Sequence, residues 1–265
     1  MTSDAARHDG DFFAAKARKV RGSILKGALK AGSNGAHLAP SLSCVEILIA
    51  AHEMAKDDGR VILSKGHAGL ALYATMLEMG GMSQEMFDTF ETDGGILPGQ
   101  PSKNREAGIA YSSGSLGMLL SYACGRALAS DKRFFVIIGN GEANEGSVWE
   151  SAMFAGSRGL GNLAVVVDDN RMQADGNSEE VLRCNAAGLF GAAGWDVVEC
   201  DGHSVPAIME ALGRQGGKRP LAVVAHTVKG KGVSFMENAK EWHHSRLSQA
   251  QFEQAMQEIG GACGN

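Results

Sequence analysis

Two short segments carry oxygen donors and glycines at a spacing that suits a hard cation and a phosphate. One is Gly139-Asn140-Gly141-Glu142; the other is Asp168-Asp169-Asn170-Arg171-Met172-Gln173. Asn140 and Asn170 stand 30 residues apart, the length of one strand–helix–strand unit. Their side-chain oxygens suit one shared Mg²⁺, which takes octahedral oxygen ligands from a few protein groups plus substrate phosphates. The glycines let backbone N–H groups approach a phosphate, and Gly146 opens a helix whose N-terminus favours anions. Generic phosphate motifs do not account for the pattern. Gly139, Gly141 and Gly146 do not fit G-x-G-x-x-G, and Gly230-Lys231 is followed by Gly232 where a P-loop needs Ser or Thr. On spacing alone, two ordinary strand-to-helix turns remain as good an explanation, with Gly for sterics and Asn for left-handed backbone.

The elements that must hold these loops follow from the apolar pattern. Phe134-Phe135-Val136-Ile137-Ile138 runs straight into the first loop, and Leu163-Ala164-Val165-Val166-Val167 into the second. Further strands are predicted over 61–63, 196–199 and 221–225, and helices over 115–128, 146–157, 185–193 and 205–212. Strands apolar on both faces and alternating with helices predict an α/β fold, a doubly wound parallel sheet with helices on both faces. In such sheets ligands bind beyond the carboxyl ends of the strands, where Ser64-Lys65-Gly66-His67 joins the two loops. Ahead of the sheet, a first helix is predicted with Phe12, Phe13, Ile24, Leu25 and Leu29 inward and Lys16, Arg18, Lys19 and Arg21 in water. Gly32-Ser33-Asn34-Gly35 ends it. Helices over 43–54, 70–79 and 83–90 follow, then a long glycine-rich loop. A polar tail from Glu237 is expected to pack across the top of one domain spanning 1–265.

Composition narrows the function. The 265 residues include 25 Lys and Arg against 30 Asp and Glu, a net charge of −5. That balance argues against a basic nucleic-acid binder or a polybasic membrane-surface protein. With 44% hydrophobic and 21% charged residues the chain reads as globular. Its 36 glycines are about twice the usual share and follow no collagen repeat. Met1-Thr2-Ser3-Asp4 begins no apolar signal core, and no stretch reaches the roughly 18 apolar residues of a membrane span. Cys44, Cys124, Cys184, Cys200 and Cys263 form no C-x-x-C pair. The expectation is a cytoplasmic protein with reduced, mostly buried thiols and neither structural zinc nor disulfides.

The wording around the glycines separates the two explanations. Gly139 through Glu150 (GNGEANEGSVWE), Gly161-Asn162-Leu163 and Asp168 through Gly176 (DDNRMQADG) closely resemble the thiamine-diphosphate motif of transketolases. Ser41-Leu42-Ser43, Leu63 through His67, Leu97-Pro98-Gly99, Gly114-Ser115-Leu116-Gly117, Thr227 through Val233 and Trp242-His243 fall in the same family order. The resemblance covers residues 11 to 250. A whole transketolase is more than twice this length, so the chain looks like the N-terminal, diphosphate-binding half of a split enzyme.

The resemblance implies a thiamine-diphosphate-binding fold. It implies Mg²⁺, or Ca²⁺ or Mn²⁺ in its place, held by the Asn140 and Asn170 side chains and the Met172 carbonyl. Gly114, Leu116, Gly141, Glu142 and Asn170 would line the cofactor. His67 and His243 match histidines near the diphosphate, and His37 matches one that handles substrate protons; all three are the catalytic candidates. Glu145 and Glu150 match acidic residues of the family's dimer interface or are plain helix-surface carboxylates. His226 and His244 are left unassigned. The implied reaction is transfer of a two-carbon ketol unit from a ketose to an aldehyde acceptor, with sugar or sugar-phosphate substrates. The implied partner is a C-terminal-half subunit in a two-plus-two heterotetramer. Gly35-Ala36-His37 departs from the family's usual Ser-Gly-His. Three further positions depart: Asn140 stands for Asp, Gln100 for a donor-contacting His, and Met118 for Gln. These point to altered donor chemistry, such as a biosynthetic ketol or acyl transfer. The alternatives are a deoxyxylulose-phosphate synthase-like carboligase and a non-catalytic regulatory subunit.

Overall fold

The computed structural model describes residues 3–56 and 59–260, and the side chains of 10–56 and 59–260. Cys263 and the first two residues of the expected non-targeting start lie outside these. The described residues form two compact units.

One unit comprises residues 46–65 and 113–227 and holds the sheet. Its strands are β1 (Gly59–Leu63), β2 (Arg133–Gly139), β3 (Leu163–Asp169), β4 (Asp196–Asp201) and β5 (Leu221–His226). All pair in parallel in the order β1-β2-β3-β5-β4. The five apolar residues before Gly139 in β2 and the five from Leu163 in β3 are buried throughout, which requires cover on both faces. Strand β4 differs from the expectation. It is an edge strand with no fully buried residue, and Asp196, Glu199 and Asp201 are exposed. Helices α6 (Met118–Leu128), α7 (Gly146–Arg158), α8 (Ser178–Val181), α9 (Ala186–Ala192) and α10 (Val205–Leu212) complete this unit, with most of α3 (Val45–Ala55). Helix α6 packs on β1, β2 and β3, while α9 and α10 pack on β4 and β5.

The other unit comprises, of the described residues, 3–45, 66–112 and 228–260. It contains α1 (Ser3–Ala31), α2 (Leu38–Ser43), α4 (Gly69–Glu78), α5 (Gln84–Phe87) and α11 (Gln249–Glu258). The tail folds as α11 against α1. A capping box at Ser248 and Gln251 starts that helix by satisfying two otherwise orphaned N–H groups. The inward stripe of α1 is Ala17, Val20, Ile24, Leu25 and Ala28. Phe12, expected inside, is 57% exposed. Arg21, expected in water, is buried, and its guanidinium donates to the Lys231 carbonyl at 3.0 Å and the Leu42 carbonyl at 3.4 Å.

Candidate functional site

In the sheet unit, the chain leaves β1, β2 and β3 at neighbouring points, because the parallel register aligns their carboxyl ends. Ser64 and Lys65 are tied there by backbone bonds to Ile137 at 2.8 and 3.2 Å. Lys65 is buried and its Nζ lies 2.5 Å from Asp168 Oδ2. The same carboxylate accepts from Thr227 Oγ1 and from Asn170 Nδ2, the latter at 3.1 Å. This neutralised cluster fixes the start of the second glycine-motif loop.

Glu142 is buried on the neighbouring turn. Its Oε1 accepts from Ser64 Oγ and from the Gly117 N–H at 2.9 Å. Burial raises its pKa above the ordinary 4.5, against the opposing pull of Ser64, the Gly117 and Gly139 backbone and Lys65. Among the described residues, Oε2 has no hydrogen-bond partner. A buried acceptor in this state is open to a further donor. Gly114 and Leu116 stand just before α6, exposed and half-buried. Glu145, Glu150, Gln100 and Met118 are all exposed.

Asn140, Asn170 and Met172 come together as expected. Asn140 Oδ1 accepts from the Asn170 N–H at 2.9 Å and the Arg171 N–H at 3.1 Å. Its Nδ2 donates to Asp169 Oδ1 at 2.6 Å. Asn170 Oδ1 accepts from the Met172 N–H at 3.0 Å. The donor set fits a divalent cation only in part, because both lone pairs of the Asn140 oxygen are already engaged.

In the other unit, His37, His67 and His243 converge. Their ring centroids are 5.3–5.7 Å apart. His244, unassigned from sequence, stands 4.5 Å from His37, edge to face. A two-residue antiparallel bridge sets this: Ala36 and Ser245 exchange N–H···O bonds of 3.0 Å, so His37 and His244 flank a paired backbone. Gly35 makes the approach possible with φ 70° and ψ −173°, a region essentially open only to glycine. Lys229, buried, points its Nζ at His243 Nδ1, 3.0 Å away. Its neighbour Gly230 has φ 81°, and an added Cβ would collide with the Met236 carbonyl oxygen. That clash accounts for glycine in the Lys229-Gly230-Lys231-Gly232 stretch. Sequence reasoning gives Lys229, Lys65 and Ser64 no role, although all three lie inside stretches singled out as family motifs.

Residues 50–263 match the model of the family described as transketolase, thiamine diphosphate binding domain. The chain belongs to the transketolase family. It is 35% identical over 243 residues to a subunit of the apulose-4-phosphate transketolase of Phocaeicola vulgatus, covering 84% of this chain and 85% of that protein. It is 36% identical over 241 residues to the 6-deoxy-6-sulfo-D-fructose transketolase subunit SqwG of a Clostridium species, covering 84% and 88%. Among solved structures, a Pichia stipitis transketolase in complex with sedoheptulose 7-phosphate superimposes with a TM-score of 0.81 at 26% identity, over 93% of this chain and 41% of that one. A Campylobacter jejuni transketolase matches with the same TM-score at 23% identity and shares the fold. The chain therefore spans about two fifths of those transketolases and most of the two subunit relatives.

Of the thiols, Cys184 adjoins the first glycine motif, its Sγ 3.6 Å from the Ala143 carbonyl oxygen. Cys44 and Cys124 are buried and Cys184 and Cys200 half-buried, all as free thiols. Burial pushes Cys124 and Cys200 up to about 11, which makes them poor nucleophiles. No helix among the described residues is long and apolar enough to cross a membrane.

Proposed function

We propose that this chain is the N-terminal, thiamine-diphosphate-binding subunit of a two-subunit transketolase. In this reading, all of 1–265 works as one cofactor-binding domain. The observation that carries it is the near-complete coverage of relatives named as transketolase subunits, alongside a fold match to only two fifths of whole transketolases.

Thiamine diphosphate, when bound, supplies the carbon nucleophile that takes up the two-carbon unit of a ketose. The protein's part is to bind, orient and move protons. Gly114, Leu116, Gly141, Glu142 and Asn170 line the cofactor, and the orphaned Oε2 of Glu142 supports a donor arriving there. Mg²⁺ is the cation of choice for the diphosphate, with Asn170 Oδ1 and the Met172 carbonyl as its protein ligands. His67 and His243 bear on the diphosphate, and His37 exchanges protons with substrate hydroxyls, a task suited to imidazole near neutrality. The relatives act on a sugar phosphate and a sulfonated sugar by name. The substrate here is accordingly a ketose with an anionic end, and the replacement of the donor-contacting His by Gln100 supports a donor outside the common set.

A C-terminal-half subunit completes the enzyme, as a two-plus-two assembly in the cytoplasm. Met118, Met153 and Phe154 on α6 and α7 are 51%, 57% and 41% exposed, which supports a partner-covered face. Titration with thiamine diphosphate and with free diphosphate, followed by tryptophan fluorescence, tests cofactor binding. Tighter binding of thiamine diphosphate supports the proposal; equal affinity reduces the chain to a general diphosphate binder.

A further inference from the structure

We infer that Asn140 is a positioning residue of the 170–172 loop, not a cation ligand, and that Asp169, His226 and Glu199 hold it in that role. An amide has one oxygen with two lone pairs. In Asn140 the Asn170 and Arg171 N–H groups take both, at 2.9 and 3.1 Å. A carboxylate at this position could give one oxygen to the backbone and the other to a cation. An amide has no second oxygen, and its second atom is a donor.

The neighbours fix which way the amide faces. Its Nδ2 donates to Asp169 Oδ1 at 2.6 Å. Rotating the amide would point Nδ2 at two N–H donors and Oδ1 at a carboxylate, so each of these contacts would turn repulsive. Asp169 is itself held. Its Oδ2 meets His226 Nδ1 at 3.0 Å, and His226 Nε2 meets Glu199 Oε2 at 2.9 Å. The relay Glu199–His226–Asp169–Asn140 thus runs from the edge strand β4 through β5 and β3 to the end of β2. His226, unassigned from the sequence, thereby has a structural task.

The loop is shaped to match. Arg171 has φ 58°, left-handed backbone that a residue with a Cβ adopts only at a cost. That turn aims two successive N–H groups at one oxygen, and their bonds to Asn140 offset the cost. Asn140 therefore organises the loop before any ligand arrives. A cation at this site would rest on the Asn170 oxygen and the Met172 carbonyl, without a formal negative charge from position 140.

The test is amide hydrogen exchange by NMR on the full-length ¹⁵N-labelled chain, with Asn170 and Arg171 as reporters. Exchange is measured without divalent ions, and then with saturating Mg²⁺ and thiamine diphosphate. Mn²⁺ broadening of nearby resonances registers occupancy of the cation site. If Asn140 positions the loop, both amides are protected without the cation and change by less than about 3-fold when it is added. Asn140→Ala then loses at least about 10-fold protection at both amides. Without Mn²⁺ broadening, the ion-free comparison decides: protection at both amides that Asn140→Ala loses supports the inference, and protection that Asn140→Ala retains overturns it. A drop of about 10-fold or more at both wild-type amides on adding Mg²⁺ and cofactor would overturn it, because the oxygen would have left them for the metal. So would unprotected amides in the ion-free chain. If Asn140→Ala does not fold, the wild-type comparison decides alone. Failure to bind thiamine diphosphate would count against the proposed function while leaving the ion-free protection, and this inference, intact.

Discussion

Lys229 Nζ lies 3.0 Å from His243 Nδ1. An ammonium has only protons to give, so Nδ1 must be the accepting, unprotonated nitrogen, and His243 carries its proton on Nε2. The ring then presents a donor on its other edge, as the proposed diphosphate contact requires. Ring ¹⁵N spectra of the chain should show the Nε2–H tautomer of His243, and Lys229→Met should give a mixture of the two tautomers. An Nδ1–H tautomer in the wild type would contradict this pairing.

Lys65 and Asp168 form an ion pair with 1% and 0% of the side chains exposed. Removing one partner leaves an uncompensated buried charge. Lys65→Met should lower stability by about 3–5 kcal/mol in urea denaturation, and adding Asp168→Asn should recover much of the loss. A single-variant cost under about 1 kcal/mol would mean the pair is not buried as described.

Glu142 gives a pH dependence of definite sign. Its pKa is raised in the folded chain, so between the ordinary 4.5 and the raised value the folded state binds more protons than the unfolded one. Its contribution to stability is complete below 4.5 and is lost as pH rises through the folded pKa. Urea titrations across this range should show a downward slope for the wild type that Glu142→Gln removes. An unchanged slope in the variant would place the titration elsewhere.

Gly35 holds the paired backbone beside His37. A Cβ there would lie 3.0 Å from the Ser245 carbonyl oxygen, in backbone geometry reserved for glycine. Gly35→Ala should cost about 1–3 kcal/mol and expose the Ala36 and Ser245 amides to exchange. Wild-type stability with both amides still protected would show that this bridge tolerates the side chain.

How far these features can be read from the sequence depends on whether their cause is local. The strands β2 and β3 are legible because an apolar run buried on both faces leaves a continuous signature, and their ends mark the two loops. The edge position of β4 is a matter of strand order, which periodicity does not encode, and its acidic residues signal it only weakly. Arg21 is misread because its partners are carbonyls 21 and 210 residues away in the chain. Phe12 is misread because it lies in α1 ahead of the buried stripe, which begins at Ala17. Asn140 is visible as a departure from the family. Its saturated oxygen is not, since that depends on how the Arg171 turn and the Asp169 side chain meet it in three dimensions.

The split-enzyme reading is tested most directly by ketol-transfer turnover, measured for the purified chain alone and after mixing with a transketolase C-terminal-half subunit. His67→Ala serves as the site control, expected to lower turnover of the mixture at least about 100-fold. The account predicts no turnover by the chain alone and its appearance on mixing, saturating near equal amounts of the two chains. Steady-state turnover by the chain alone, with its mass verified and no second subunit present, would contradict it.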